Sequence, residues 1–236
     1  MPSARVVTAN DATIDEAERE LLARWNEIRS VSAKVTTRFE QREGAKSSQT
    51  GAGMRDCMKK NGKMLVWSKL NNYILLDVSH VDREDGAKQL YTEQRLLRVF
   101  DGNFLYTVDE RHEQMGGMKV TKSRLDPQGI QLIGGRRLFR QLRRLDRLQL
   151  LPDDTIDGKS VYVFEGSANA DLVEIQYYFD KETGILLKMI VENKGENSTF
   201  MFALSDIELN VEFSEDHFTF TPPEGAEIID LTQQRP

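Results

Sequence analysis

The chain has 236 residues, enough for one large β-rich domain or two small ones, and enough to bury a sizeable core. Its 32 Lys and Arg against 38 Asp and Glu leave a net charge of −6, which argues against general nucleic-acid binding, and no apolar run reaches the ~18 residues of a membrane helix. A lone Cys57 excludes an intramolecular disulfide and a multi-cysteine zinc cluster, and the absence of an apolar leader leaves either a cytoplasmic protein or an exported one whose signal has been removed.

Residues 1–12 and 232–236 read as flexible tails of a single domain spanning 1–236. Thr13-Ile14-Asp15-Glu16 has the form of a capping box, and Ile14, Ala17, Leu21, Trp25 and Ile28 follow at helical spacing, so an amphipathic helix is expected over Ile14 to Arg29. The period then becomes two: Val31, Ala33, Val35, Thr37 and Phe39 alternate with polar residues, as in a half-buried strand. Strands are further expected at Met64–Ser68, Tyr73–Ser79, Arg95–Phe100, Phe104–Val108, Gly117–Lys122, Ser160–Gly166, Leu172–Phe179, Ile185–Asn193 and Thr199–Phe213. Short polar loops, Asp101-Gly102-Asn103 and Lys181 to Gly184, join consecutive strands as hairpins, whereas Lys46–Gly53 and Asp82–Gly86 read as mobile loops. About ten strands in antiparallel order, with no βαβ alternation, make the chain mainly β.

Two features interrupt this pattern. Leu138, Leu142, Leu145 and Leu148 form an apolar stripe among Arg136, Arg137, Arg140, Arg143, Arg144 and Arg147, the pattern of a basic amphipathic helix over Leu138–Leu148. In the last long strand the apolar residues change phase, from Phe200, Phe202 and Leu204 to Ile207, Leu209, Val211 and Phe213. That shift requires one extra residue, so a β-bulge or bend is expected near Ser205-Asp206.

No catalytic constellation, metal site or cofactor site emerges. His80, His112 and His217 lack metal-ligand spacing, Asp153-Asp154 and the Asp82–Asp85 run sit in expected turns, and Cys57 has basic neighbours but no base. Gly134-Gly135 before a helix is a weak anion-binding signal without a phosphate-loop motif. Met64, Met115, Met118, Met189 and Met201, with Trp67, Phe104, Tyr106, Phe200 and Phe202, suit either an ordinary core or a cavity that accepts varied apolar cargo. The arginine-rich segment suits either phosphate contact or a solvated face balanced by neighbouring acids.

The run Phe202-Ala203-Leu204-Ser205-Asp206-Ile207-Glu208-Leu209-Asn210-Val211, followed by Phe218-Thr219-Phe220-Thr221-Pro222-Pro223-Glu224-Gly225 and Ile228-Ile229-Asp230, resembles the end of the outer-membrane lipoprotein carrier (LolA-like) family. Phe179-Asp180 through Gly184-Ile185-Leu186, the Val99-Phe100-Asp101-Gly102 turn, and the opening helix running into Val35 and Phe39-Glu40-Gln41 extend the resemblance from Ile14 to Asp230. It implies an incomplete antiparallel β-barrel, a strongly curved open sheet whose hydrophobic hollow is closed by amphipathic helices. It further implies a non-enzymatic, monomeric carrier of lipid or lipid-modified proteins in a bacterial envelope, periplasmic, with envelope donor or acceptor proteins as partners. Trp25, Val35, Met64, Trp67, Phe104, Tyr106, Met189, Phe200 and Phe202 are the expected cavity lining. Arg136, Arg140, Arg143 and Arg147 are the expected contacts to headgroups or to a partner. A lipid-sensing regulatory module of the same fold is the alternative, ahead of an enzyme acting on lipid. One departure is clear: where the family carries an arginine before an aromatic residue in its second hairpin, this chain has Val66 before Trp67.

Overall fold

The computed structural model describes residues 9–41, 56–67, 73–85, 88–92, 96–101, 103–109, 119–124, 133–214, 218–222 and 224–232, of which 9–12, 56–67, 73–85, 88–92, 96 and 109 are described by backbone alone. These residues form two helices, α1 (Ala9–Trp25) and α2 (Arg136–Leu142), and thirteen strands. The chain divides into two compact units, one of Met1–Glu27 with Leu132–Met201 and one of Ile28–Gln131 with Phe202–Pro236.

The first unit contains both helices and a ladder in the order β8 (Asp146–Ile156), β9 (Lys159–Ala168), β10 (Val173–Asp180), β11 (Leu186–Asn193) and the opening residues of β12 (Ser198–Leu209). Register sets Phe164 opposite Tyr177 and Tyr162 opposite Phe179, so one face carries a row of aromatic side chains. The helices supply the matching layer. Leu138, Phe139 and Leu142 of α2 and Ile14, Ala17 and Leu21 of α1 are at most 2% exposed. Phe139 stacks on Phe179 at 5.1 Å between ring centres and meets Phe164 edge-on at 6.0 Å. Phe164 and Phe179 meet at 5.6 Å, closing a triangle of rings, each worth about 1.5–3 kcal/mol of burial.

The approach of α1 is set by a turn. Between β10 and β11 the carboxylate of Asp180, only 1% exposed, accepts hydrogen bonds from the Glu182 amide (3.1 Å) and the Thr183 hydroxyl (2.8 Å), with the Lys159 ammonium at 3.4 Å. Gly184 closes the turn at φ +71°, and its amide donates to the Asp180 carbonyl at 2.8 Å. A Cβ on Gly184 would stand 2.2 Å from the Leu21 carbonyl oxygen, so the glycine lets α1 lie directly on the turn.

The second unit carries, in spatial order, β13 (Glu227–Asp230), β7 (Lys119–Ser123), β6 (Leu105–Asp109), β5 (Leu96–Phe100), β3 (Tyr73–Asp85), β2 (Asp56–Trp67), β1 (Ser30–Gln41) and the remainder of β12, with β4 (Lys88–Thr92) beside β3. The ladder is antiparallel except for β13, which runs parallel to β7. The β5–β6 turn is held by Asp101, whose carboxylate accepts from the amides of Asn103 (2.9 Å) and Phe104 (2.8 Å). Neither ladder closes on itself among the described residues: one ends at β8 and the other at β13. The fold is thus mainly β, an open antiparallel sheet architecture with two helices, as expected.

The phase change in β12 is present. Ser205 and Asp206 are both exposed, Ile207 and Leu209 are half-buried, and Asp206 takes the left-handed conformation at φ +48°. Lys34 of β1 pairs with Asp206 at 2.6 Å. Several elements differ from expectation. The first helix begins at Ala9, so Thr13 lies within it and not at its cap, and it stops at Trp25, four residues short of Arg29. The second helix is Arg136–Leu142, not Leu138–Leu148. Pairing of Asp146 with Ser167 draws the following residues into β8, and Arg147 turns left-handed (φ +49°) at the irregularity between Asp146 and Gln149, so tertiary pairing overrides the leucine periodicity. The expected loop at Asp82–Gly86 is strand as far as Asp85, because β3 pairs there with both β2 and β4. Lys46–Gly53 lies outside the described residues.

Gly184→Ala should lower stability by about 2 kcal/mol or more in denaturant unfolding, because it combines backbone strain with overlap on α1. Gly158→Ala, at φ +80° with nothing within 4 Å of the new Cβ, is the comparison with strain alone. Equal losses in the two variants would show that α1 does not rest on the turn.

Candidate functional site

The expected cavity residues fall into both units. In the first, Trp25 ends α1 with its indole over Gly134 and Gly135, where added Cβ atoms would stand 2.3 Å and 2.8 Å from ring atoms. This removes Gly134-Gly135 as an open anion cradle: the indole occupies the space above it. Met189 is 6% exposed and pairs with Tyr177, on the sheet face that carries Phe179. Phe200 is half-buried on β12. In the second unit Val35 is 4% exposed on β1, and Phe202, Phe104 and Tyr106 are half-buried. The side chains of Met64 and Trp67 lie outside the described residues, as do those of Cys57 and His80, while His112 and His217 lie outside them altogether.

The structure brings together Phe104 and Tyr106 with two residues not singled out from sequence. Tyr106 stands opposite Lys122 of β7 and Val99 of β5, and shares their face with Val108 and Val120. The Lys122 ammonium sits 4.2 Å above the Phe104 ring centre. Phe220 stacks on Tyr106 with ring centres 4.8 Å apart. Val99, Val108 and Val120, beside Tyr106 on the same face, are buried, and Ile228, opposite Val120 on β13, is 52% exposed. Burial, and then the carboxylates of Asp101 and Asp230, push the Tyr106 hydroxyl above the ordinary tyrosine pKa. The result is an amphipathic surface: aromatic and branched apolar groups in the middle, with Lys122, Asp101 and Asp230 at its margin. The alternation Phe218-Thr219-Phe220 was the signal available for Phe220.

The arginines separate into two sets. Arg143 forms a fork, donating to Glu18 through Nε (2.8 Å) and Nη2 (2.7 Å) and pairing also with Asp15, so it fastens α2 to α1. Arg147 pairs with Asp171 at 2.5 Å and reaches the Ser167 hydroxyl at 3.4 Å. These two of the four expected contacts are therefore engaged within the unit, while Arg136 and Arg140 are exposed. Arg147, Gln149, Glu165, Gly166, Ser167 and Glu174 line a polar cavity of about 190 Å³. Its polar groups are already matched: Glu165 accepts from Gln149 (2.8 Å) and Gln176 (2.7 Å), and Lys194 pairs with Glu174. Among the described residues no group of three His, Cys, Asp or Glu side chains is placed to hold a metal ion, and no helix is long and apolar enough to cross a membrane.

Comparison with solved structures finds an uncharacterized conserved protein from Thermus thermophilus, with a TM-score of 0.52 at 7% identity, over 90% of this chain and 98% of that one. Pseudomonas aeruginosa MucB in its complex with MucA gives 0.44 at 15% identity over 87% and 61%. The LolA superfamily protein NE2245 from Nitrosomonas europaea gives 0.36 at 16% identity over 86% and 97%. At the level of the fold, the LolA-like resemblance holds. Its support is the architecture itself: an opening helix running into an open antiparallel sheet, a second helix, and a bulged C-terminal strand. The chain spans 60% to 63% of the length of the MucB chains it matches. No protein-family model matches the sequence, and no curated protein matches it either.

Phe220→Ala should bring the Tyr106 pKa back toward the ordinary tyrosine value, because removing the stacked ring restores water to the hydroxyl. An ultraviolet pH titration, with Tyr106→Phe used to assign the step, checks this. An unchanged titration would mean that Phe220 does not shield Tyr106.

Proposed function

We propose that the protein is a non-enzymatic carrier that binds the acyl chains of lipids or lipid-modified proteins in a bacterial envelope. The observation that carries this reading is the half-open aromatic surface of Phe104, Tyr106 and Phe220, with Val99, Val108 and Val120 beside Tyr106 on the same sheet face. In the first unit the aromatic sheet face is sealed by two helices to 1% exposure or less at Phe139, Phe164 and Phe179. The second unit has no α-helix of its own among the described residues, and its aromatic groups stay partly open. Flat rings with a charged margin suit the side of an alkyl chain and the start of its headgroup.

The energetics are sufficient. Burying acyl carbons yields ~0.8 kcal/mol per CH₂, so a sixteen-carbon chain gains up to ~12 kcal/mol before the cost of ordering the chain. Holding cargo this strongly makes release depend on a better acceptor or on movement of the covering groups. Val66, standing where the family carries an arginine, leaves release to other residues.

Native mass spectrometry of the purified protein with added palmitate should show a one-to-one complex, and Tyr106→Ala should weaken it by about tenfold or more. Absence of any complex would contradict the reading, and turnover of an added ester would replace it with an enzyme. Binding accompanied by a change in affinity for an envelope protein would favour the sensor.

A further inference from the structure

We propose that Arg136, Arg140 and Arg144 form a docking ridge for the surface of an anionic membrane. Helical spacing of four places Arg136 and Arg140 on one line along α2, and Arg144 continues it into the hydrogen-bonded turn where the Arg144 amide donates to the Gln141 carbonyl at 3.0 Å. All three are exposed, and among the described residues none has a carboxylate within 4 Å. Their neighbours behave differently: Arg143 and Arg147 are spent on Asp15, Glu18 and Asp171 inside the unit. The structure therefore divides one arginine-rich segment into a set that holds the fold and a set that faces outward.

A second observation points the same way. The first turn of α2 contains Arg136 and Arg137 and no acid, and Gly135 provides no side-chain cap. Cations at a helix N-terminus oppose the helix dipole, where Asp or Glu would stabilise it. The buried face of Leu138, Phe139 and Leu142 keeps the helix in place, so packing compensates for a terminus that is unfavourable by its own chemistry. A local rule broken by the exposed Arg136, with no carboxylate partner among the described residues, marks a surface kept for an external charge.

The arrangement selects the occupant. The three charges are spread along a line on an exposed helix face, not gathered around one point as a small anion would need. A planar array of lipid phosphates satisfies such a line, with guanidinium groups contacting phosphate oxygens in pairs. In a chain of net charge −6, attraction to the membrane must be local, and these three groups provide it. The ridge lies on the first unit and involves none of the residues proposed to bind acyl chains, so docking and cargo binding are separable.

The test is co-sedimentation with vesicles of mixed phosphatidylglycerol and phosphatidylcholine at low salt. The parent should bind these vesicles and leave pure phosphatidylcholine vesicles unbound, with affinity falling steeply as salt rises. The triple variant Arg136→Gln, Arg140→Gln, Arg144→Gln should lose roughly 100-fold in affinity, at about fivefold per arginine. The triple lysine variant should retain most of the binding. A control that removes the same charge elsewhere, Arg19→Gln, Arg24→Gln, Lys194→Gln, should bind as the parent does. Inorganic phosphate at matched ionic strength should not compete. Should the glutamine triple variant fold poorly, Arg140→Gln alone, read by its reduced salt dependence, decides the matter. A parent that ignores anionic vesicles, equal losses in ridge and control variants, or displacement by inorganic phosphate would overturn the proposal. Palmitate binding by the ridge variant, unchanged throughout, keeps this outcome distinct from that of the carrier reading.

Discussion

The tightest constraint in the first unit is the approach of the α1 main chain to the β10–β11 turn, where the Leu21 carbonyl lies over Gly184. Everything else about α1 follows from that contact being possible. With the glycine in place, Ile14, Ala17 and Leu21 reach the sheet, Trp25 comes to rest on Gly134 and Gly135, and Tyr162 donates to Glu20 at 2.7 Å. Arg143 then ties α2 to the same helix through Glu18 and Asp15. The turn is held by buried Asp180, whose carboxylate accepts from Glu182 and Thr183 within it and faces the Lys159 ammonium of β9, a structural use of the group. The hydrogen bond to Glu20 pushes the Tyr162 pKa up to about 12, so this anchor is present below pH 10 and is lost as pH rises toward 12.

A helix fixed at this many points has a consequence for function. In the first unit the triangle of Phe139, Phe164 and Phe179 packs ring against ring between the helices and the aromatic face, so the described residues of that layer are buried against one another. The second unit solves the same problem differently. Its aromatic face is covered among the described residues by single side chains, Phe220 stacked on Tyr106 and the Lys122 ammonium over Phe104. Covering by side chains is cheaper to displace than covering by helices, which is the physical ground for placing cargo binding there.

Much of this was legible in the sequence. Period-two alternation located most strands, and the change of phase between Leu204 and Ile207 located the irregularity at Asp206, which takes the left-handed conformation there. Tyr106 and Phe104 were identifiable as aromatic residues on a strand. What was not legible depended on long-range pairing. Leu145 and Leu148 fit a helix, but pairing of Asp146 and Gln149 with β9 turns the chain into β8, and no glycine or proline marks the end of α2. The sorting of five of the six arginines into a paired set, Arg143 and Arg147, and an outward set, Arg136, Arg140 and Arg144, requires knowing that Asp15, Glu18 and Asp171 lie beside the first. The parallel pairing of β13 and the stacking of Phe220 join segments about a hundred residues apart, a relation that no local pattern encodes.

In the carrier proposal an acyl chain lies on the face formed by Phe104, Tyr106 and Phe220. A palmitate analogue carrying a photoreactive diazirine in its chain tests this directly, with labelled peptides mapped by mass spectrometry. Labelling should concentrate in residues 104–108 and 218–222 and be suppressed by excess unlabelled palmitate. Labelling confined to α1 and β8, or spread over the chain and insensitive to competition, would contradict it.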